Sequence, residues 1–404
     1  MYPEGETRTS SHPIGQAVRP ETKGIRVLHV LRGHRWGTIE RESVRAIEWL
    51  QKTGVESFIY LDRYSPLDQA LNKKNLGPTK LYPRQTLHTH WSGRLIFFFA
   101  LRRLIKQHNI QLVHAYYIED IVSVGMALRT FPEVPFVLSI NHEIVKSYRK
   151  LWFKPFVARI DRFVVHNPEM MENVWSEMKI HPRKGLVIWP SPIEVDEDGA
   201  SAPVSLTQEI VIGSYIPPLL RNMDGPQNLF TAIKVLQEKL QRPVRLKLFI
   251  DRNLSKSYFV EHLSTFSRPW AKSFTIEICE FDGLYPPFSS IHLWWTLSDE
   301  AIEDFSLLAL KAHVPIMAPR MPSYIELKQK QPWVGELFKR NDIREMWANA
   351  YRVCDNLMDY HENLALSAKV FIPFWNQIGA QERLLKLYDK GIRLRKFLNA
   401  RKGL

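Results

Sequence analysis

The sequence predicts an α/β protein built as two Rossmann-like domains facing a central cleft. Three observations carry this. Short apolar strand-type runs alternate with amphipathic helical patterns from residue 25 to about residue 190. A segment poor in apolar residues, 193–208 (IEVDEDGASAPVSLTQ), then interrupts the alternation and reads as a linker. After it the alternation restarts, as a second domain with its own sheet requires. With 404 residues, 45% hydrophobic and 24% charged, the chain has the material for two cores.

The first domain is expected over 25–192, after a polar stretch, 1–24, that lacks an apolar signal region and reads as a disordered leader. Ile25–Leu31 (IRVLHVL) is a buried-strand pattern. It runs through RGHRWGT into a helix over about 39–53, with apolar Val44, Ile47, Trp49 and Leu50. Strand, glycine-containing loop and helix form the opening βα unit of a Rossmann domain. Gly33 and Gly37 would let the backbone approach a phosphate, with Arg32, His34 and Arg35 as donors nearby. A plain tight turn explains the same two glycines.

Val55–Leu61 is a second strand, and 62–90 reads as an irregular surface region. Gly93–His108 is a helix with Phe97–Phe99 and a basic flank of Arg94, Arg102, Arg103 and Lys106. Those faces suit an anionic membrane surface, or a crossover helix packed on the sheet. Strands over 111–115, 136–140, 163–166 and 186–189 bring the first domain to about six. His114, Asn141, His142, His166 and Asn167 end these strands. Strand carboxyl ends line the crevice of an open sheet, so each is a site candidate, or a structural cap.

The second domain is expected over 209–374, followed by a helix and basic tail over 375–404. Strands are expected at 209–213, 244–250 and 275–279, with a helix at 228–240 between the first two. Leu293–Leu297 is a further strand. An acidic loop with Asp299, Glu300, Glu303 and Asp304 follows, then a helix to about Ala312, a strand at Val314–Ala318 and a loop holding Pro319 and Pro322. Acids at the mouth of a strand–helix turn sit where open sheets bind ligands, and could accept hydrogen bonds from sugar hydroxyls. Complementing the helix dipole accounts for them as well. Lys339–Glu362 reads as one helix.

A formal charge of +13 favours anionic partners and does not choose among nucleotide phosphates, acidic lipid and nucleic acid. No nucleic-acid recognition module is visible, so specific nucleic-acid binding is not expected. Cys279 and Cys354, both inside apolar patterns, argue against a disulfide framework and fit a reducing, cytoplasmic setting. No apolar run approaches the ~20 residues of a membrane span.

The 293–326 stretch resembles the donor-site signature of family 4 glycosyltransferases, which have the two-Rossmann-domain GT-B architecture. Glu300 takes the first acidic position of that signature, Val314–Pro315 its Val-Pro step and Glu326 its last acid. The second glutamate's place holds Leu308, and the Gly-Gly pair is Pro322–Ser323. An alternative register anchors the first acid on Glu303. Trp36–Gly37 with Glu40–Arg41 resembles the family's Gly-Gly step and Glu-Arg pair. FVLSINH resembles the strand that ends in a histidine near the reacting centre, here Asn141 in strict register and His142 one place on. In SYIPPLLRNMDGPQ (214–227), Ser214 and Asp224 occupy the places of the family's diphosphate-binding arginine and lysine. Arg221 is the only cation in that stretch. FIPFWNQIGAQERLLKLYDK resembles the family's closing helix, which crosses back onto the first domain.

The resemblance implies transfer of a hexose from a nucleotide-diphosphate sugar to a glycan or lipid-linked acceptor, with retention and without a metal or other cofactor. Glu300, or Glu303 in the other register, would hold the donor sugar, with His142 near the reacting centre. Gly33, Gly37, Arg35, Arg221 and Glu326 would serve the phosphates. His114, Asn141 and His166 would lie on the acceptor side. Peripheral contact with the anionic inner face of a membrane is a further expected partner. The four departures, at Ser214, Asp224, Leu308 and Pro322–Ser323, support a second reading: a catalytically inactive, glycosyltransferase-like subunit that binds a partner or glycan.

Overall fold

In the computed structural model the alternation becomes two parallel sheets. The structure describes residues 24–32, 38–63, 65–73, 79–81, 91–140, 144, 153–165, 168–187, 209–216, 224–251, 257–281, 286–297, 304–371 and 377–401. The first half runs β1 (Arg26–Val30), α1 (Thr38–Lys52), β2 (Glu56–Tyr60), α2 (Pro66–Lys73), β3 (Thr79–Leu81), α3 (Trp91–Gln107), β4 (Leu112–Ala115) and α4 (Ile121–Ala127). It continues through β5 (Phe136–Ile140), α5 (Lys154–Val157), β6 (Arg162–Val165), α6 (Pro168–Met178) and β7 (Gly185–Val187). Strand order is β3-β2-β1-β4-β5-β6-β7. Every neighbouring pair is parallel; Leu28, for example, sits opposite Phe58 on one side and Val113 on the other.

The sheet has seven strands where about six are expected, because 62–90 is not irregular throughout: it holds α2 and β3. Helix α2 has eight residues, and Leu67 and Leu71, four apart, are the buried apolar pair among its described side chains. Two apolar residues in a polar stretch are too few to reveal a period. Helix α3 buries Phe97, Leu101 and Ile105 against the sheet, which fits the crossover reading, while Ile96 and Phe99 stay exposed.

The second half runs β8 (Ile210–Tyr215), α7 (Asp224–Leu240), β9 (Val244–Asp251), α8 (Ser257–Ser267), β10 (Thr275–Phe281), β11 (Leu293–Trp295) and α9 (Asp304–Lys311). It closes through β12 (Ile316–Pro319), α10 (Pro322–Lys330), β13 (Gly335–Phe338), α11 (Ile343–Asp355), α12 (Leu357–Phe371) and α13 (Gln377–Arg401). Strand order is β10-β9-β8-β11-β12-β13. The expected linker, 193–208, lies outside the described residues.

Two expectations change here, and one strand forms where none is expected. The stretch after β12 forms α10, with Pro322 in its first turn, where a missing N–H costs nothing. The single helix over 339–362 is two helices broken at Asn356, and α11 is capped by Asp342, whose side chain accepts from Glu345 N at 3.0 Å. Strand β13 forms because Gly335 takes φ +130°. A Cβ there would lie 1.9 Å from Ile316 O, so only glycine lets β13 pair with β12 at this point.

Helix α13 crosses back and packs on the first sheet. Leu384, Leu385, Leu387 and Tyr388 join Val27, Leu112, Val137 and Val164 in one apolar cluster. Charge reinforces the contact. Arg395 on α13 pairs with Asp161 at 2.7 Å. Asp161 also holds Arg159 at 2.8 Å and accepts from Phe136 N at 2.9 Å. Burial pulls the Arg159 pKa down to about 10, against the opposing pull of Asp161.

Candidate functional site

In an open parallel sheet, ligands bind beyond the carboxyl ends of the strands, where the strand order reverses. The first sheet reverses between β1 and β4, the second between β8 and β11. At the first reversal Arg32, just past β1, pairs with Asp120, just past β4, at 2.5 Å. Glu40, in the first turn of α1, accepts a hydrogen bond from the Tyr117 hydroxyl. Burial, then the Glu40 charge, raises the Tyr117 pKa, so the phenol stays a donor.

At the second reversal Tyr215 closes β8 and Phe305 opens α9. Their rings meet edge to face at 4.7 Å between centroids. Gly213 permits this layering, since a Cβ there would press to 2.9 Å on the Trp294 ring, itself 6.1 Å from Phe305. Arg41 of α1 joins the two reversals. Its guanidinium carbon lies 4.4 Å from the Phe305 ring centroid and 5.5 Å from that of Tyr215. The residue is 1% exposed. The carboxyl edges of both sheets therefore face each other across this contact.

Most of the residues expected at the site fall outside the described residues: Gly33, Arg35, Gly37, Asn141, His142, His166, Arg221, Glu300 and Glu303. The two that remain sit differently from expectation. Glu326 lies inside α10, not in a loop, and its carboxylate pairs with Lys330 one turn on. His114 is 2% exposed and both ring nitrogens are engaged, Nδ1 with the Tyr388 hydroxyl at 2.7 Å and Nε2 with Ser139 Oγ at 2.8 Å. In this arrangement it ties α13 to the sheet and offers no group to an acceptor.

His114 also stacks on Tyr116 at 4.2 Å, and the Tyr116 hydroxyl meets His29 Nδ1 at 3.0 Å. Burial holds both histidines neutral: the His29 pKa falls to about 3, and that of His114 lies well below the ordinary value, lowered by burial and then by His29. Tyr388→Phe should cost about 1 kcal/mol, a buried neutral hydrogen bond, visible as a lower urea midpoint at unchanged slope.

Leu308 occupies the place where the resembling family has its second glutamate. It is 6% exposed and packs in the apolar cluster of α9, β11 and β12. No local pattern in the sequence joins Arg41 to Tyr215 and Phe305, separated from it by more than 170 residues. The Glu40–Arg41 pair was the one signal pointing there.

Residues 39–197 match the family model described as Glycosyltransferase Family 4. No curated protein matches the chain in sequence. Solved structures match the fold along its length. A glycosyltransferase from Rickettsia africae is 15% identical with a TM-score of 0.71, the match covering 91% of this chain and 98% of that one. HepE from Anabaena, solved in complex with UDP-glucose, is 11% identical with a TM-score of 0.68, covering 91% and 100%. Sucrose-phosphate synthase from Thermosynechococcus elongatus is 12% identical with a TM-score of 0.63, covering 89% and 99%.

Proposed function

As a family 4 glycosyltransferase-like protein with the GT-B fold, the chain, we propose, transfers a hexose from a nucleotide-diphosphate sugar to a glycan or lipid-linked acceptor. The observation that carries this is the apposition of the two strand-order reversals, bridged by buried Arg41. One reversal supplies a nucleotide-type crevice, and the facing one supplies a wall that excludes water when the domains close. HepE, with the same fold, is solved with UDP-glucose, which supports a UDP-type donor.

In this reading Glu300 grips the donor sugar, the 33–37 segment meets the diphosphate from the first domain, and His142 stands near the reacting carbon. The family resemblance implies retention, independence from metal and a role in cell-envelope polysaccharide or glycoconjugate synthesis. Peripheral membrane contact belongs to the same proposal, and α3 is its candidate surface, with Ile96 and Phe99 exposed beside Arg102 and Arg103. No helix among the described residues is long and apolar enough to cross a membrane.

One observation favours a second reading, an inactive subunit: buried Leu308 cannot accept a hydrogen bond from a ribose hydroxyl. A panel of UDP, GDP and their sugars in thermal shift separates the two. The transferase is expected to be stabilised by at least one nucleotide sugar, by about 2.7 kcal/mol at a hundredfold excess over Kd. No response to any of them would favour the subunit. Given transfer, Glu300→Ala should lower kcat/KM by about a hundredfold or more. Loss with Glu303→Ala and not with Glu300→Ala would move the sugar-binding role to Glu303.

A further inference from the structure

We propose that a cavity at the amino edge of the first sheet binds a small anionic amphiphile, an apolar body ending in a phosphate or carboxylate. The cavity lies at the opposite ends of the strands from the reversal, and the proposal does not depend on the transferase reading.

Three segments wall the cavity. Helix α3 stops where Asn109 takes φ +50°, a conformation asparagine tolerates, and Ile110 N then donates back to Ile105 O at 3.0 Å. That turn sets Ile105, Lys106 and Ile110 along one side, just before β4. The second wall is the turn into β5, where Val134 N donates to Phe131 O at 3.1 Å. The third is α13, which contributes Ile392 and, one turn on, Lys396. A Cβ on Gly391 would meet Pro135 Cβ at 3.4 Å, so the helix lies directly on the β5 turn. The cavity measures about 390 Å³, within the range of small-molecule sites and far above the ~30 Å³ of one water.

Floor and rim differ in character. Ile105, Ile110 and Val134 are each 3% exposed, and Phe131 and Ile392 are half-buried. Lys106 and Lys396 stand exposed on separate walls, and among the described residues neither has an ion pair. Glu133 is the one acid in the lining, and its charge also acts on Arg159. A bare anion would leave the floor wet, and a neutral apolar molecule would leave two ammonium groups unused. An amphiphile covers the floor and meets the cations together. An occupant held by both lysines bridges α3 and α13, and so fastens the returning helix to the first domain.

The test uses the full chain and octyl phosphate as probe, by calorimetry, beside inorganic phosphate and 1-octanol. Octyl phosphate is expected to bind more tightly than either. Lys106→Gln combined with Lys396→Gln should weaken it about tenfold at an unchanged melting temperature of the free protein, and Glu133→Gln should strengthen it about two- to fivefold. Amide exchange should slow around residues 105–111 and 391–396 when the probe is bound. Vesicles of phosphatidylglycerol distinguish the source. Vesicle binding lost in the double lysine variant, together with octyl phosphate binding, supports a site for bilayer lipid. Octyl phosphate bound while vesicles are ignored supports a site for a free amphiphile.

Inorganic phosphate or 1-octanol binding as well as octyl phosphate overturns the proposal. So does octyl phosphate affinity that the lysine and Glu133 variants leave unchanged, or binding with no slowing of exchange at those two segments. A wild type that binds no octyl phosphate overturns it as well, whether or not vesicles are bound.

Discussion

Asp161→Ala is expected to destabilise the first domain by about 3–5 kcal/mol, the cost of leaving buried charge without its partner. Asp161 is 4% exposed and receives three donors: Arg159 at 2.8 Å, Arg395 at 2.7 Å and Phe136 N at 2.9 Å. Arg159 is anchored besides by the carbonyls of Leu128, Phe131 and Val134, so it cannot swing out to water when the carboxylate goes. The loss should appear as a lower melting temperature. It should also appear as faster amide exchange along α13, because Arg395 anchors that helix through Asp161. Asp161→Asn keeps an acceptor for Phe136 N and should fall between wild type and alanine. An unchanged melting temperature in the alanine variant would show that the apolar cluster around Tyr388 holds α13 unaided.

The second large effect is acid lability with a definite pH window. Burial lowers the His29 pKa to about 3 and lowers that of His114 well below 6.5. A histidine whose folded pKa is depressed binds fewer protons in the folded than in the unfolded chain below pH ~6.5. Its stabilising contribution is therefore fully present above that pH and is lost as pH falls. The loss runs at about 1.4 kcal/mol per unit for each such residue, down to the folded pKa. His313 and His361 are shifted in the same direction by burial and add slopes of the same sign. Between pH ~6.5 and 5 few carboxylates titrate, so the decline there belongs to the histidines. Urea midpoints taken across this window should fall with acidification, and His29→Gln with His114→Gln should flatten the decline. An equal slope in the double variant would show that these two rings charge without unfolding.

Much of the fold was legible because a strand buried on both faces must be apolar along its length. IRVLHVL, FVLSI and LWW could become little else, and β1, β5 and β11 formed there. The elements with no clear sequence signal are short or locally ambiguous. Helix α2 rests on two leucines. Strand β3 is three residues long, with the sequence TKL. Strand β13 depends on one glycine backbone angle, and α10 occupies a stretch whose prolines suggest a loop.

The candidate site divides the same way. The family resemblance marks Glu40 and Arg41, yet nothing local tells what Arg41 touches. His114 was marked by its place at a strand end. It is instead spent on Tyr388, 274 residues away, because the returning helix needs a polar partner for its buried phenol.

The order of residues alone determined that there would be two parallel sheets, since burial pattern and alternation are properties of neighbours along the chain. It also determined the departures from the family pattern at Ser214 and Leu308. Only the tertiary structure decided that Arg41 would stand against Tyr215 and Phe305, and that α13 would lock onto Asp161 and His114. Those contacts join residues far apart in the chain, and their energies exist only once packing has removed the water between them.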